Sequence, residues 1–242
     1  MNTQNDITDI AEDNIVLYDT KDVTKVEKQV EEKIETFDLV YHTHEALSKV
    51  LPEFDFENAP INPADFASSL VETCKKYNGY GLSANQCGFE YRVFVMGTGD
   101  HYIAYFNPKI IGVDEENIHM AEACLSFPML SLSITRPKSV EIEYQDYLGE
   151  KHTTKFTGLT ARCFLHELDH MNGIMYTERA KPLALKQGLK KVEKQRNKFS
   201  KQFKQYMNTT KPKNVPAEEM PKKNVAQQLI FNLMNSNKET NT

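Results

Sequence analysis

The sequence has few cysteines, four in 242 residues, and it has no long apolar run. The cysteines form no CxxC pair and are too scattered for a disulfide framework, so a reducing cytosol is the expected environment. No stretch approaches the roughly 18 to 20 apolar residues of a membrane-spanning helix. The polar, acidic start has neither the apolar core of a secretory signal nor the arginines of a transit peptide. These absences argue against a secreted, membrane-embedded or organelle-targeted protein.

Charge is unevenly distributed along the chain, although the formal net charge is only -5. Residues 1–57 hold about 15 acidic and about 5 basic residues, whereas the stretch after Glu178 holds about 15 basic and about 4 acidic residues. Such ends are either solvated surfaces or docking surfaces for a charged partner. The length suits one sizeable domain with extensions.

Hydrophobic spacing predicts three helices, separated by a strand-rich middle. The first and second helices have recognisable ends, with Asn62 as the N-cap of the first, Gly79 as its stop and Gly173 as the stop of the second. The third helix is amphipathic and basic. The predicted helices span 64–77, 159–172 and about 183–207, and the predicted strand segments are 91–98, 101–111, 131–150 and 151–159. The Pro- and Lys-rich remainder is expected to be flexible, with a short partner-binding helix at 226–235.

The most informative residues are HELDH at 166–170, an HExxH motif inside the second predicted helix. Positions i and i+4 share one helical face, so His166 and His170 can bind one metal ion while Glu167 faces a water beside it. This pattern predicts metal-assisted hydrolysis. The alternative is a pair of half-exposed histidines near a helix end.

A catalytic metal needs a third protein ligand, and the sequence offers several candidates. A protease of the HExxHxxGxxH kind lacks its ligand here, because Tyr176 occupies the last position. Glu193 lies in a lysine-rich stretch that is typical of a solvated face. Cys124 is a better candidate because a thiolate suits Zn²⁺ or Fe²⁺, although a single cysteine is more often a small buried apolar residue. We interpret Cys163, three residues before His166, as pocket or core lining.

Three motifs together resemble those of the peptide deformylase family. GYGLSANQ at 79–86, EACLS at 122–126 and HELDH at 166–170 are similar to the family's GxGLxAxQ, EGCLS and HExDH, in the same order and at similar separations. The resemblance covers about 14–181, including 23–32, which is similar to the family's entry loop. It implies an α+β fold with antiparallel sheets around a central HExxH helix and a C-terminal helix. The predicted organisation is an acidic disordered tail (1–13), a catalytic domain (14–182), a basic amphipathic helix (183–208) and a flexible tail (209–242).

The resemblance also implies the reaction and the metal site. Cys124, His166 and His170 would hold the metal, usually Fe²⁺, with Zn²⁺, Ni²⁺ or Co²⁺ able to substitute. The substrate would be the N-terminal formyl-methionine of a newly synthesised polypeptide, from which the enzyme releases formate. Glu167 would take and return the proton.

The remaining site residues are implied in the same way. The Gln86 side-chain amide and the Leu125 backbone N–H would stabilise the oxyanion. Gly81 would let the backbone approach a bound peptide closely. Apolar residues would line the methionine pocket, namely Tyr80, Phe127, Leu159 and Cys163.

The sequence departs from the family pattern at several positions. Ala123 replaces the glycine before the cysteine, which matters if that position requires a positive φ. Ser83 and Asn85 replace the commoner alanine and proline. Ser131 stands where an arginine is often found, seven residues after the cysteine, whereas Arg136 remains in the following strand. Contacts to the peptide backbone are therefore less firmly implied than the metal site.

The expected partner is a formyl-methionyl nascent peptide, with neither membrane nor DNA as a partner. The basic C-terminal helix is similar in position to one that docks some deformylases on the ribosome, and its charge suits rRNA. The alternatives are a catalytically silent formyl-peptide binder and a zinc peptidase of another HExxH class. A formyl-methionyl substrate predicts a location in the bacterial cytoplasm, or in the cytoplasm of the host if the chain is phage-encoded.

Overall fold

The computed structural model describes residues 34–209. Within them it contains three α-helices and seven strands, and short 3₁₀ helices lie at Glu45–Ser48, Ala84–Cys87 and Tyr176–Arg179. In chain order the elements are α1 (Pro63–Lys76), β1 (Gly81–Ser83), β2 (Val93–Thr98), β3 (His101–Val113), β4 (Asn117–Cys124), β5 (Phe127–Pro137), β6 (Ser139–Gln145), β7 (Lys151–Thr157), α2 (Gly158–Met171) and α3 (Pro182–Thr209). The predicted tail at 1–13, the segment at 23–32 and the helix at 226–235 lie outside the described residues, as does the 209–242 tail beyond Thr209.

The strands form two antiparallel sheets, which confirms the predicted α+β class. One sheet has five strands in the order β1-β2-β3-β6-β7, and β4 and β5 form the second. Alternate side chains of β2 face opposite sides, as the period of a strand requires. Phe94 and Met96 pack in the core cluster that contains α2, whereas Val93 and Val95 pack in the cluster that contains α1. The sheet therefore separates two apolar cores.

The predicted helix ends are partly correct. The Asn62 side chain accepts hydrogen bonds from the N–H groups of Ala64 and Asp65, so the predicted N-cap of α1 is confirmed. The predicted stop at Gly79 is wrong, because the helix ends at Lys76 and the left-handed residue is Asn78, with φ 53°. Asparagine tolerates this conformation better than most residues because its short side chain hydrogen-bonds locally.

Helix α2 ends where the sequence predicts. Gly173 follows it with φ 69°, and a Cβ there would lie 2.7 Å from the Ser48 carbonyl oxygen. Only glycine meets both requirements without strain. The helix stop therefore also allows the Glu45–Ser48 turn to pack closely against the end of α2.

The strand predictions located most of the five-stranded sheet. β2 and β7 lie within predicted segments, β3 runs two residues past its predicted end at 111, and the segment at 131–150 divides at Lys138 into the end of β5 and all of β6. β1 was not predicted because it has only three residues, and β4 was not predicted either. β4 contains Ala, Glu, Met and Asn, which have low intrinsic strand preference, and it is held by pairing with β5.

Helix α3 packs on the two-stranded sheet through its first half. A Cβ at Gly188 would lie 2.8 Å from Leu130 and 3.0 Å from Leu132 of β5, and Val192 is buried in the same cluster. From Glu193 to Gln202 the side chains are exposed apart from the half-buried Phe199. Among the described helices, none combines the length and apolar character needed to cross a membrane.

Candidate active site

Three buried side chains from two elements form a metal-binding group. Cys124 ends β4, and His166 and His170 lie one turn apart on α2. Their ligand atoms all lie within 4.8 Å of one another, and Cys124 Sγ is 3.3 Å from His170 Nε2. The structure therefore brings together the three residues expected as ligands, and Cys163 is not part of the group.

Cys124 lies at an irregularity in the β4–β5 pair, on the buried side of β4. Ala123 pairs with Ser131, whereas the next residue, Cys124, pairs with Phe127 across a register shift. The positive-φ residues other than glycine in the described chain are Asn78, Asn107 and Met129, so Ala123 has no positive φ. The family's glycine is therefore not required here for backbone conformation.

The His166 ring is oriented by Glu122. Its Nδ1 lies 3.0 Å from Glu122 Oε2, which leaves Nε2 for a metal. Glu122 also accepts hydrogen bonds from Arg136, at 2.6 and 2.8 Å, and from Arg162, at 2.6 Å. Burial by itself would raise the pKa of Glu122, but the hydrogen bonds from Arg136 and His166 lower it to about 2. The carboxylate that orients His166 is therefore held ionised.

A second buried carboxylate, Asp169, extends this arrangement. Arg136 Nη1 donates to Asp169 Oδ2 at 2.7 Å, and Arg179 donates to both oxygens of the same carboxylate. We call these five residues, Glu122, Arg136, Arg162, Asp169 and Arg179, the charged network. The sequence analysis missed their role. The two carboxylates lie inside recognised motifs, but the three arginines are spread over 44 positions of the chain and follow no local pattern.

The donor atoms fit a divalent transition metal. One thiolate and two imidazoles are the ligand types that Zn²⁺ and Fe²⁺ accept, and three protein ligands leave a position open for water or substrate. His170 Nδ1 is buried and has no hydrogen-bond partner in the described chain, whereas Nε2 faces the thiol. The nitrogen available for coordination is thus the one that already points into the group.

Glu167 lies beside this group and contacts strand β1. It is 3% exposed, and burial raises the pKa of its carboxyl group. The Ser83 hydroxyl lies 2.9 Å from Glu167 Oε2, and a Cβ at Gly81 would lie 2.4 Å from Oε1. Gly81 was expected to let the backbone approach the substrate closely. The structure gives a second reason for glycine here, because any larger residue would displace Glu167.

Gln86 presents its amide to the metal group. Its Oε1 accepts the Ser83 backbone N–H at 3.0 Å, so Nε2 is turned toward Ser126 Oγ, at 3.2 Å, and Cys124 Sγ, at 3.4 Å. Leu125, the other expected oxyanion donor, lies in the tight turn between Cys124 and Ser126. The structure thus places the Gln86 amide next to the ligand thiol, and Leu125 directly follows the ligand cysteine in the chain.

The residues expected to line the methionine pocket lie in different surroundings. Tyr80 and Leu159 are 63% and 55% exposed, whereas Phe127 is buried and Cys163 is half-buried. Burial raises the pKa of the Cys163 thiol well above its ordinary value, which suits a lining residue rather than a ligand. No apolar core cluster of the described chain contains all four. His42, which the sequence analysis did not consider, stacks on Phe127 with ring centroids 3.9 Å apart.

Arg136 does not take the place of the family's arginine, which is Ser131 in this chain. It is 3% exposed and its guanidinium is bonded to Glu122, Asp169 and the Leu165 carbonyl oxygen. Its guanidinium group therefore belongs to the charged network. Contacts to a peptide at this position must come from other residues.

Comparison with known proteins agrees with this geometry. The model of the polypeptide deformylase family matches residues 36–186. The chain belongs to the peptide deformylase family. It is 40% identical to a peptide deformylase of Thermotoga maritima over 113 residues, which cover 47% of this chain and 69% of that protein. It is 35% identical to the enzyme of Wolbachia pipientis over 145 residues, covering 54% and 80%.

Solved deformylase structures have the same fold. The crystal structure of the Thermotoga maritima enzyme matches with a TM-score of 0.56 and 34% identity, covering 61% of this chain and 99% of that one. A deformylase from Synechococcus elongatus in complex with actinonin matches with a TM-score of 0.59 and 30% identity, covering 64% and 85%. The family consists of metal-dependent hydrolases that remove N-formyl groups from nascent peptides. This chain is therefore a deformylating enzyme of protein biosynthesis.

Proposed function

We propose that Cys124, His166 and His170 hold the catalytic metal and that Glu167 transfers the proton during removal of the formyl group. The observation that carries this assignment is the convergence of three buried ligand atoms within 4.8 Å, with Glu167 adjacent on α2. When bound, the cation supplies Lewis-acid activation of water and of the formyl oxygen. The residues of the chain orient the reacting groups and transfer the proton.

Glu167 has the surroundings of a group that gains and loses a proton. Its carboxyl is buried and its close contacts, Ser83 and Gly81, are neutral. It takes the proton of the attacking water and returns it to the leaving amine of methionine, while formate departs. A carboxylate bound directly to an arginine would be a weaker base, because the positive charge favours its ionised form.

Gln86 and Leu125 stabilise the negative charge that develops on the formyl oxygen. The Gln86 amide is held by Ser83 and Ser126 and needs no reorientation when charge develops, which is the condition for strong electrostatic stabilisation. The Leu125 backbone N–H comes from the turn that carries Cys124. Removal of one such donor costs on the order of a hundredfold in rate.

For the native metal we propose Fe²⁺, with Zn²⁺, Ni²⁺ or Co²⁺ able to replace it. The cysteine–histidine donor set accepts all four ions. Anaerobic purification from cells, followed by metal analysis, identifies the resident ion. Reloading of the apoprotein with each ion then ranks them by formate release.

The assignment is tested by formate release from formyl-Met-Ala-Ser with Fe²⁺- or Ni²⁺-loaded protein. We expect turnover by the wild type and near-complete loss in Glu167→Ala and Cys124→Ala, with metal lost only in the second. Glu116→Ala, which removes an exposed carboxylate paired with Lys138, is the matched control and should keep full activity. Binding of the peptide without formate release would favour a silent binder, and cleavage of an unformylated peptide would favour another class of HExxH peptidase.

The substrate side chain is expected to lie among Tyr80, Phe127, Leu159 and Cys163, along the β1 backbone at Gly81. A bulkier residue in a methionine pocket should raise KM more than it lowers kcat. Cys163→Met is the sharpest variant because this side chain is half-buried and lies on the same helix as the two histidine ligands. An unchanged KM would place the pocket elsewhere.

We also propose that the exposed part of α3 docks on the ribosome, which places the enzyme in the cytoplasm where nascent chains emerge. One shallow hollow on this helix is lined by four lysines and by Glu193 and Asn197, and its net positive charge suits rRNA. The lysines are Lys190, Lys194, Lys198 and Lys201. Removal of the whole helix is a poor test, because Gly188 and Val192 cover apolar residues of β5.

Charge reversal tests docking without uncovering the core. Replacement of the four lysines by glutamate should abolish co-sedimentation with ribosomes, and reversal of Lys151 and Lys155, exposed on β7, should leave it unchanged. Activity on a free peptide should stay the same in both. Equal co-sedimentation of the two variants would contradict docking through α3.

A further inference from the structure

Strand β1 supports Glu167 through two residues on one face. Residues i and i+2 of a strand point to the same side, and here Gly81 and Ser83 both face the Glu167 carboxylate. A Cβ at Gly81 would lie 2.4 Å from Glu167 Oε1 and 2.9 Å from its Cγ. The Ser83 hydroxyl lies 2.9 Å from Oε2. Glycine thus provides the space and serine provides the hydrogen bond.

Ser83 has two acceptors within reach of its single hydroxyl hydrogen. Glu167 Oε2 lies at 2.9 Å and Gln86 Oε1 at 3.1 Å. The Gln86 oxygen already accepts the Ser83 backbone N–H at 3.0 Å, and a hydrogen bond to an ionised carboxylate is the stronger of the two. The hydroxyl therefore donates to Glu167, while the backbone N–H of the same residue orients Gln86.

We propose that Ser83 is a positioning residue of the deformylation reaction, which aligns Glu167 through its hydroxyl and Gln86 through its backbone. This inference rests on the proposed roles of Glu167 and Gln86. Ser83 is fully buried, so no solvent molecule at the surface can take over the hydrogen bond. The position commonly holds alanine in the family, so the hydroxyl is a feature by which this chain restrains its general base.

The position of the carboxylate matters because proton transfer requires a narrow geometry. A displacement of about 1 Å in a reacting group can cost on the order of a hundredfold in rate. Loss of one restraint, with the helix and Gly81 unchanged, should cost less. We therefore expect Ser83→Ala to lower kcat about tenfold and to leave KM within about twofold, since the hydroxyl contacts catalytic groups and not the peptide.

Ser139 offers a matched control in the same protein. It is a buried serine at the start of β6, and its hydroxyl donates to the Asp114 carboxylate at 2.9 Å, on residues outside the active site. Ser139→Ala removes a serine–carboxylate hydrogen bond of the same length, with the carboxylate exposed at Asp114 where it is buried at Glu167. It should alter the melting temperature without altering kcat.

The experiment compares Ser83→Ala, Ser83→Thr and Ser139→Ala, each with its metal content, melting temperature, kcat and KM for formyl-Met-Ala-Ser. The proposal expects a tenfold loss of kcat in Ser83→Ala alone, with metal content unchanged and with recovery in Ser83→Thr, which restores the hydroxyl. An unchanged kcat in Ser83→Ala, or a loss carried by KM, overturns it. Loss of kcat in Ser139→Ala to the same extent also overturns it, because the effect would then follow stability.

An infrared measurement keeps the test decisive if Ser83→Thr does not fold. The carboxylate band of Glu167, identified as the difference between the wild type and Glu167→Gln, should shift in Ser83→Ala and stay in place in Ser139→Ala. An unshifted band in Ser83→Ala contradicts the hydrogen bond itself. Failure of the proposed function is distinguishable, because Glu167→Gln would then retain full turnover whatever Ser83 does.

Discussion

Helix α2 presents functional groups on two sides, and the two sides are held by different chemistry. On the side toward β4 and β5, which we call the charged side, His166 is held by Glu122 within the charged network. On the side toward β1, which we call the neutral side, Glu167 contacts a glycine and one neutral hydroxyl. A metal ligand must keep one orientation, which ionic hydrogen bonds enforce. A proton-transfer group must be stable with and without its proton, and a neutral partner orients it without favouring the ionised form as a cation would.

The largest expected effect comes from the neutral side. Glu167→Gln keeps the shape and the contact with Ser83 but cannot accept a proton, so formate release should fall by about three orders of magnitude. The metal content should remain that of the wild type, because Glu167 is not among the three ligands. Activity assays and metal analysis of the same preparation check this result. Loss of the metal in Glu167→Gln would contradict the division between the two sides.

On the charged side, Glu122→Gln should affect both the metal and the fold. The variant leaves Arg136 and Arg162 buried without their shared counter-charge, which should lower the free energy of unfolding by about 3–5 kcal/mol. His166 also loses its ionised partner, so metal affinity should fall about 10–100-fold. Urea unfolding and competition with a chelator measure the two quantities.

The control for this variant is an exposed ion pair. Glu116 and Lys138 are in contact at 2.7 Å, with side chains 59% and 45% exposed. Glu116→Gln should change the free energy of unfolding by less than about 1 kcal/mol, because solvent screens the pair. Equal effects of the two variants would mean that the charged network contributes nothing beyond a surface contact.

The charged side should also make stability depend on pH in acid. The pKa of Glu122 is about 2 in the folded chain against an ordinary value of 4.5, so the unfolded chain binds the proton first. Its contribution to stability is complete above the unfolded pKa and is lost as the pH falls toward the folded pKa. Urea unfolding of the metal-free protein between about pH 6 and 3 should show a shallower decline in Glu122→Gln than in the wild type. An equal loss of stability with falling pH in the two proteins would show that Glu122 is not the cause.

The smallest expected effect lies at the edge of the charged network. Arg179 donates to Asp169 but its side chain is 42% exposed, whereas the Arg136 side chain, on the same carboxylate, is 4% exposed. Arg179→Ala should cost about 1 kcal/mol or less of the free energy of unfolding, and Arg136→Ala several times more. Equal losses in urea unfolding would show that burial does not set the strength of these pairs.

The chemistry-bearing residues were predictable because they lie in short motifs. HELDH places two imidazoles and a carboxylate on one turn of helix by local geometry alone, and the cap at Asn62 and the stop at Gly173 follow from equally local preferences. Cys124 was found through its motif and the lack of a ligand downstream. β1 was missed because it has only three residues, and β4 was missed because its residues have low strand preference and it is held by pairing with β5.

Local features of the chain followed from its residues alone, namely the helix that carries the two histidine ligands, its stop at Gly173 and the motifs that contain the three metal ligands. Packing of distant segments brings Arg136, Arg162 and Arg179 onto two carboxylates and sets the Ser83 hydroxyl against Glu167. The two kinds of feature differ in the range of their interactions. Helical spacing and capping act over four residues, whereas the restraint of a buried charge or a catalytic carboxylate depends on residues 10 to 84 positions away, which meet only in the folded chain.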